Sequence, residues 1–325
     1  MNRPMRTVLL AMVAITVIAS IPVHRASSHL NDFTDSGQVV RWPQDHQVLW
    51  NLNPSHGGNI SGNRSLADVI QAAFNTWSGA PNTLLNVARG ADSSKTSNGM
   101  DDTNLICFIC KGDFTSEAET LAVTFTTNAT QAGVTDGRGG TTEFAGQILD
   151  ADILFNPNHD FTTDAGGPAE DLQTVATHEI GHFFGLSHSA VVRAIMYPFA
   201  PPVETTLSYD DVAGISADYP KASPDVLIGA ISGTIRLNGA PVFGAHVYAD
   251  SNTSAEPFAG FNVRKTPIGA LSLPDGSYNI SGVPADTYTV TAEPLDLPVT
   301  DSDVNGYASS FGKPAVQTNF TTRSH

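Results

Sequence analysis

His178-Glu179-Ile180-Gly181-His182-Phe183-Phe184-Gly185-Leu186-Ser187-His188 is the stretch on which the reading of this 325-residue chain turns. His178 and His182 are four residues apart, so on a helix both imidazoles leave the same face, as two ligands of one metal must. Leu172, Ala176, Ile180 and Phe183 form a stripe on another side, which suits packing against a sheet. Gly185 can take the positive φ that ends a helix and turns the chain sharply, bringing His188 back as a third nitrogen ligand. Three histidines leave the fourth tetrahedral position of a zinc ion to water, which separates a catalytic site from a closed structural one. Glu179, beside a ligand but on a different azimuth, is placed to take a proton from that water and pass it to a leaving amine. Two surface histidines on a helix would be the plain alternative. The glycine and the third histidine at fixed spacing speak against it.

Outward from this stretch, helix and strand patterns alternate. Leu66, Val69, Ile70, Ala73, Phe74 and Trp77 recur at helical spacing, opened by Ser65 with Asp68 as a capping box, so residues 65–77 are expected to be helical. A second helix is expected over residues 170–184 and a third over 208–219, the latter opened by Ser208 with Asp211. Residues 47–52, 84–87, 121–126 and 148–155 read as strands. The result is a mixed α/β domain. Beyond Tyr219-Pro220-Lys221-Ala222-Ser223-Pro224 only strand and turn patterns remain, with Asn238-Gly239 and Asp275-Gly276 as hairpin turns. That part reads as an antiparallel β-sandwich, with strands at 230–236, 245–249, 277–281 and 287–292. His246 stands alone there and is read as packed.

Hydrophobic residues make up 41% of the chain and charged residues 15%, enough for packed cores and too few charges for long disordered tails. Lys plus Arg number 16 against 32 for Asp plus Glu, a net charge of −16, which repels phosphate backbones and excludes nucleic acid as the expected partner. MNRPMR followed by the apolar run at 8–19 reads as a secretory signal peptide, cleaved after Ala19 or Ala26. The run is short for a bilayer span, so no stable membrane span is expected after cleavage. Export leaves Cys107 and Cys110 open to three readings: a small loop disulfide, half a zinc site or a redox pair. A bridge would need a turn at Phe108-Ile109, because odd spacing in a strand points the two side chains to opposite faces.

The motif HExxHxxGxxH with Ala194-Ile195-Met196-Tyr197-Pro198 close behind it resembles the metzincin zinc peptidases. Ser189 after the third histidine and the Met-Tyr-Pro turn are similar to the matrixin branch, the matrix-metalloproteinase-like family. Arg41-Trp42-Pro43, Trp50-Asn51, Asp150-Ala151-Asp152-Ile153 and Leu207-Ser208-Tyr209-Asp210-Asp211 add to the likeness. The resemblance implies an α+β metzincin domain: a twisted mixed sheet with an active-site helix. It implies that Met196 floors the metal site without binding the ion, and that Pro198 walls the main side-chain pocket. Leu121, Ala122 and Val123 would lie on the edge strand along which an extended substrate pairs. The pattern after residue 227 resembles carboxypeptidase-regulatory-like, transthyretin-like sandwich modules, which bring no catalytic residues.

Two departures stand out. Between residues 100 and 177 the only histidine is His159, so a single catalytic zinc is expected and no second, structural one. No PRCGxPD-type cysteine switch is present, and residues 27–40 are short for an inhibitory prodomain. Asp150, Asp152, Asp160 and Asp164 offer oxygens for calcium, with solvated surface carboxylates as the other reading. The expected organisation is a signal peptide at 1–26, a leader at 27–40, a zinc peptidase domain at 41–220, a linker at 221–226 and an all-β sandwich at 227–325. The expected function is that of a secreted, monomeric metalloendopeptidase acting on protein or peptide substrates. An extracellular adhesive or matrix-binding protein on an inactive scaffold is the alternative; it would lack a ligand or the base. An exopeptidase would need a charge to read a chain terminus, for which Arg193 is the sequence-adjacent candidate.

Overall fold

Strand β1 (Val48–Leu52) shows how the sheet is built: Val48, Trp50 and Leu52 are buried while Leu49 points to solvent, the period of two that a one-sided strand imposes. The computed structural model describes residues 31–34, 37–110, 114, 119–135, 140–199, 201 and 203–325. The signal-peptide expectation at 1–26 lies outside the described residues. In chain order β2 (Ile60–Ser61), helix α1 (Leu66–Ser78), β3 (Val87–Arg89), β4 (Asn104–Cys107), β5 (Ala122–Asn128), β6 (Ile148–Phe155), β7 (Phe161–Thr162) and β8 (Glu170–Asp171) follow. Next come helix α2 (Leu172–Phe183), β9 (Leu207–Ser208) and helix α3 (Tyr209–Asp218). The main sheet has the order β3-β1-β4-β6-β5, with the first four strands parallel and β5 antiparallel at the edge.

Both faces of this sheet are covered, which is why all of β6 is buried. On one face Trp50, Ile106, Ile153 and Phe155 pack with α1 and α2. Trp50 stacks on Phe74 with ring centroids 5.0 Å apart, and Phe74 meets Phe183 edge-on at 5.4 Å. On the other face Leu105, Cys107 and Leu154 pack with Cys110 and Phe114. The chain turns at Phe108 and Ile109, and Cys107 and Cys110 are joined in a disulfide.

Caps set the helix ends. Ser65 accepts from Asp68 N at 3.1 Å, Asp171 from Thr174 N at 2.8 Å, and Ser208 with Asp211 forms a full capping box. Helix α2 starts at Leu172 rather than 170 because Glu170 and Asp171 are extended, paired parallel with β7.

From residue 228 the chain is β-rich: β10 (Ile228–Thr234), β11 (Arg236–Leu237), β12 (Ala240–Pro241), β13 (His246–Ser251), β14 (Val263–Arg264), β15 (Ile268–Leu271), β16 (Ser277–Pro284), β17 (Tyr288–Glu293) and β18 (Arg323–Ser324). A four-stranded antiparallel sheet runs β15-β13-β17-β18, and β10 pairs antiparallel with β16. One buried apolar cluster passes from α3 (Val212, Ala213) into these strands through Val247, Ile268, Ile280 and Val283. β14 pairs parallel with β9, and Asn82 accepts from and donates to the backbone around Val226 at 2.9 Å in each case. Asn31 bridges to Leu186, and Val40 is buried in the main core, so the described part of residues 27–40 lies against the end of α2. Among the described residues no helix is long and apolar enough to cross a membrane.

Candidate active site

Helix α2 carries His178 and His182 on one face, and the turn after it delivers His188. Gly185 makes that turn: its φ is +92°, and a Cβ there would sit 2.0 Å from Val40 O. Only glycine meets both demands. Leu186 N then donates back to Gly181 O at 3.0 Å, closing the helix end.

The three rings converge. His178 Nε2 lies 3.2 Å from His182 Nε2 and 3.3 Å from His188 Nε2. Each Nδ1–H donates to a main-chain carbonyl: His178 to Ile195 at 2.7 Å, His182 to Leu186 at 2.7 Å and His188 to Asp303 at 2.6 Å. A carbonyl only accepts, so each ring is held with its proton on Nδ1 and its lone pair on Nε2. Burial holds all three below the ordinary histidine value, His178 to about 3. Three neutral, converging nitrogen donors fit a divalent cation. A tetrahedral zinc with bonds of about 2.0–2.1 Å needs its nitrogens about 3.3 Å apart, and His178 meets that spacing with both partners.

Glu179 faces the same cleft from the adjacent azimuth. Thr124 Oγ1 on β5 donates to its Oε2 at 2.6 Å. Burial pushes its carboxyl up to about 7, with the Thr124 hydrogen bond working against the rise.

Behind the histidines, Ile195 and Met196 form the turn whose carbonyl anchors His178. Met196 is buried, and its sulfur occupies the space a Cβ on Gly181 would need, 2.1 Å away. Asp211, at the start of α3, accepts from Ile195 N at 2.8 Å and Met196 N at 3.1 Å. Asp210 accepts from Ser189 Oγ and from Gly269 N, and burial raises it to about 7.

The cleft measures about 890 Å³ and is lined by Leu121 just before β5 and Ala122, Val123 and Thr124 on it, by Pro198 and Phe199, and by the three histidines and Glu179. Glu204, also on its wall, pairs with Arg264 of β14. Asp32 and Asn305 line it near His182 and His188. Asp150 and Asp152 are buried on β6, away from the cleft lining; Asp152 accepts from Leu105 N and Gly99 N at 2.8 Å each. Arg193 is exposed and absent from the lining.

Sequence reasoning brought the three histidines, Glu179, Met196 and the β5 residues to attention together. It passed over Asp303, Asn305, Asp32 and the hydrogen bond from Thr124. Asp211 had a local signal, the capping box, but nothing in that motif pointed to the turn it also holds.

Residues 100–220 match the profile of the matrixin family. Metalloendoproteinase 1 of Glycine max is 46% identical over 73 residues, which are 22% of this chain and 24% of that protein. Stromelysin-1 of Mus musculus is 42% identical over 89 residues, 26% of this chain and 18% of the relative. Interstitial collagenase of Oryctolagus cuniculus is 28% identical over 200 residues, 58% and 35% of the two chains. The chain thus spans about a quarter or less of the first two relatives and about a third of the collagenase. These matches support a matrixin-type metallopeptidase region with zinc dependence.

Proposed function

We propose that this chain is a secreted zinc-dependent endopeptidase that hydrolyses internal bonds of extended peptide and protein substrates. The observation that carries this reading is the convergence of three Nε2 lone pairs, each fixed by an Nδ1–H bond to a carbonyl, beside the buried carboxyl of Glu179. His178, His182 and His188 are the zinc ligands. Zinc held there supplies a Lewis acid that polarises the scissile carbonyl and makes water a nucleophile near neutral pH.

Glu179 is the general base and then the general acid. Its burial lowers the cost of holding a proton, and Thr124 keeps one oxygen in place. It takes the proton of the attacking water and returns it to the nitrogen of the leaving amine. Met196, packed against Gly181 of the helix, floors the site beside the Ile195 carbonyl that holds His178.

Among the described residues β5 pairs on one side only, with β6. Its open edge at Leu121, Ala122 and Val123 faces the cleft and suits an extended substrate added as a further strand. Pro198 and Phe199 shape the pocket for one substrate side chain. Residues 1–26 act as an export signal, 41–220 as the peptidase unit, and the strands beyond 227 as an antiparallel sandwich of the carboxypeptidase-regulatory-like kind. Asp152 accepts two main-chain N–H groups, which suits a structural role on β6.

The test is cleavage of a terminally blocked, quenched-fluorescent peptide library by the purified mature chain, with zinc counted by atomic absorption. Cleavage that a chelator stops and zinc restores, at about one zinc per chain, is the expected result. Zinc-free protein without cleavage would overturn the reading, and cleavage confined to unblocked termini would replace it with an exopeptidase.

A further inference from the structure

The ring anchors of His178 and His182 belong to the motif and the turn just behind it, at Ile195 and Leu186. That of His188 comes from 115 residues further along the chain. Asp303 sits in the 3-10 turn Asp301–Val304, and its main-chain carbonyl accepts His188 Nδ1–H at 2.6 Å. Asn305 follows with φ of 55°, and its amide donates to Ser187 Oγ at 2.7 Å and Asp32 Oδ1 at 3.0 Å. Asp32 and Asn305 both line the cleft.

The turn is firmly held. Thr300 donates to the Asp303 carboxylate through its N–H at 2.7 Å and its hydroxyl at 2.6 Å, and Ala308 N donates to Asp301 Oδ1 at 2.8 Å. Val304 is buried with Phe243, Leu271, Leu295, Val299 and Tyr307, and Tyr197 of the methionine turn packs against the same cluster. A carbonyl fixed in this way can fix a ring.

We propose that the turn at residues 300–306 is a working part of the zinc site, with Asp303 the positioning residue for His188 and Asn305, joined to Asp32, a wall of the substrate cleft. The inference rests on the zinc-peptidase reading and makes the carboxy-terminal strands an obligate part of the enzyme. Without the Asp303 carbonyl, the His188 ring is free to turn and to move its proton to Nε2, where it competes with the metal. Partners that orient ligand histidines are typically worth about 10–100-fold in metal affinity.

The experiment uses the full mature chain and four variants: residues 300–306 replaced by a Gly/Ser segment of equal length, Asp303→Ala, Asp303→Asn and Asn305→Ala. Zinc affinity is read by competition with a chromophoric chelator, ligand geometry by the visible spectrum of the cobalt-loaded protein, and folding by thermal melting. kcat and KM are read on a blocked peptide. The replaced turn is expected to lose about 10–100-fold in zinc affinity and to shift the cobalt bands. Asp303→Ala should move the same way by less, and Asp303→Asn, which keeps an acceptor for Thr300, should return to the parent values. Asn305→Ala should retain zinc affinity and change KM.

A folded replacement with the parent's zinc affinity and cobalt spectrum overturns the role of the turn alone. A parent chain that binds no zinc overturns the peptidase reading and this inference with it. Should the replacement not fold, the double variant Asp301→Ala with Asp303→Ala, which removes both carboxylates that hold the turn, decides: unchanged affinity and spectrum overturn the proposal.

Discussion

The two sides of the cleft are put together in opposite ways. On one side His178, Glu179, His182 and His188 fall within 11 consecutive residues, and a capped helix with one glycine turn brings them together. On the other side Asp32, Thr124, Glu204 and Asn305 come from four distant stretches and meet only when the sheet, α3 and the carboxy-terminal strands have packed. Short-range contacts close small loops at little entropic cost, whereas the far side is assembled from long ones. Under the proposed function, the reacting groups sit on the local side, and the tertiary side positions them and fits the substrate.

The comparison is sharpened most by Glu179→Gln, which strikes the local side and keeps an acceptor for Thr124. kcat/KM on a blocked peptide should fall about 10²–10⁴-fold, with zinc content and melting unchanged. Loss of zinc together with activity would show that Glu179 supports the site rather than the reaction. Arg264→Ala strikes the far side. It removes the cationic partner of Glu204, whose side chain is 13% exposed and keeps only the Thr206 N–H, and should cost about 3 kcal/mol in denaturant unfolding. Zinc affinity should hold; a parallel loss of zinc would break the division between the two sides.

Gly185→Ala tests the single joint on which the local side depends. With φ at +92° and Val40 O in the way, the substitution should cost about 2 kcal/mol and weaken zinc binding together. Full zinc affinity in a destabilised protein would mean that His188 is held by the Asp303 turn alone.

The smallest expected effect concerns Asp218, at the end of α3, which accepts from Asn31. Burial raises its carboxyl to about 7 from an ordinary 3.8, against the pull of Asn31 and Arg41. The folded chain therefore keeps a proton that the unfolded chain has released. Stability from this group is lost as pH rises from about 4 through about 7. Asp218→Asn cannot ionise, so the fall in melting temperature between pH 5 and pH 8 should shrink by about 2–4 °C in calorimetry. An unchanged pH slope would mean that Asp218 is already ionised against Arg41 in the fold.

Periodicity carried far in this chain. The spacing of Leu66, Val69, Ile70, Ala73, Phe74 and Trp77 marks α1 to within a residue, and the apolar run at Ile148–Phe155 is β6 with the same bounds. β4 shows no alternation, because all four of its residues are buried. β15 went unread because a four-residue run buried throughout has no alternation to show. The strand expected at 84–87 instead begins at Val87, where pairing with Val48 starts.

The same division holds for the site. The three converging histidines and the neighbouring acid were written in the order of residues 178–188, because a helical repeat and a glycine turn convert spacing directly into direction. No local pattern marks Asp303 as the anchor of His188, Asn305 as a cleft wall, or Arg264 as the partner of Glu204. Those contacts join segments far apart in the chain, and a main-chain carbonyl looks alike at every residue. Only the packing of the carboxy-terminal strands against α3 and the methionine turn chose which carbonyl faces the ring.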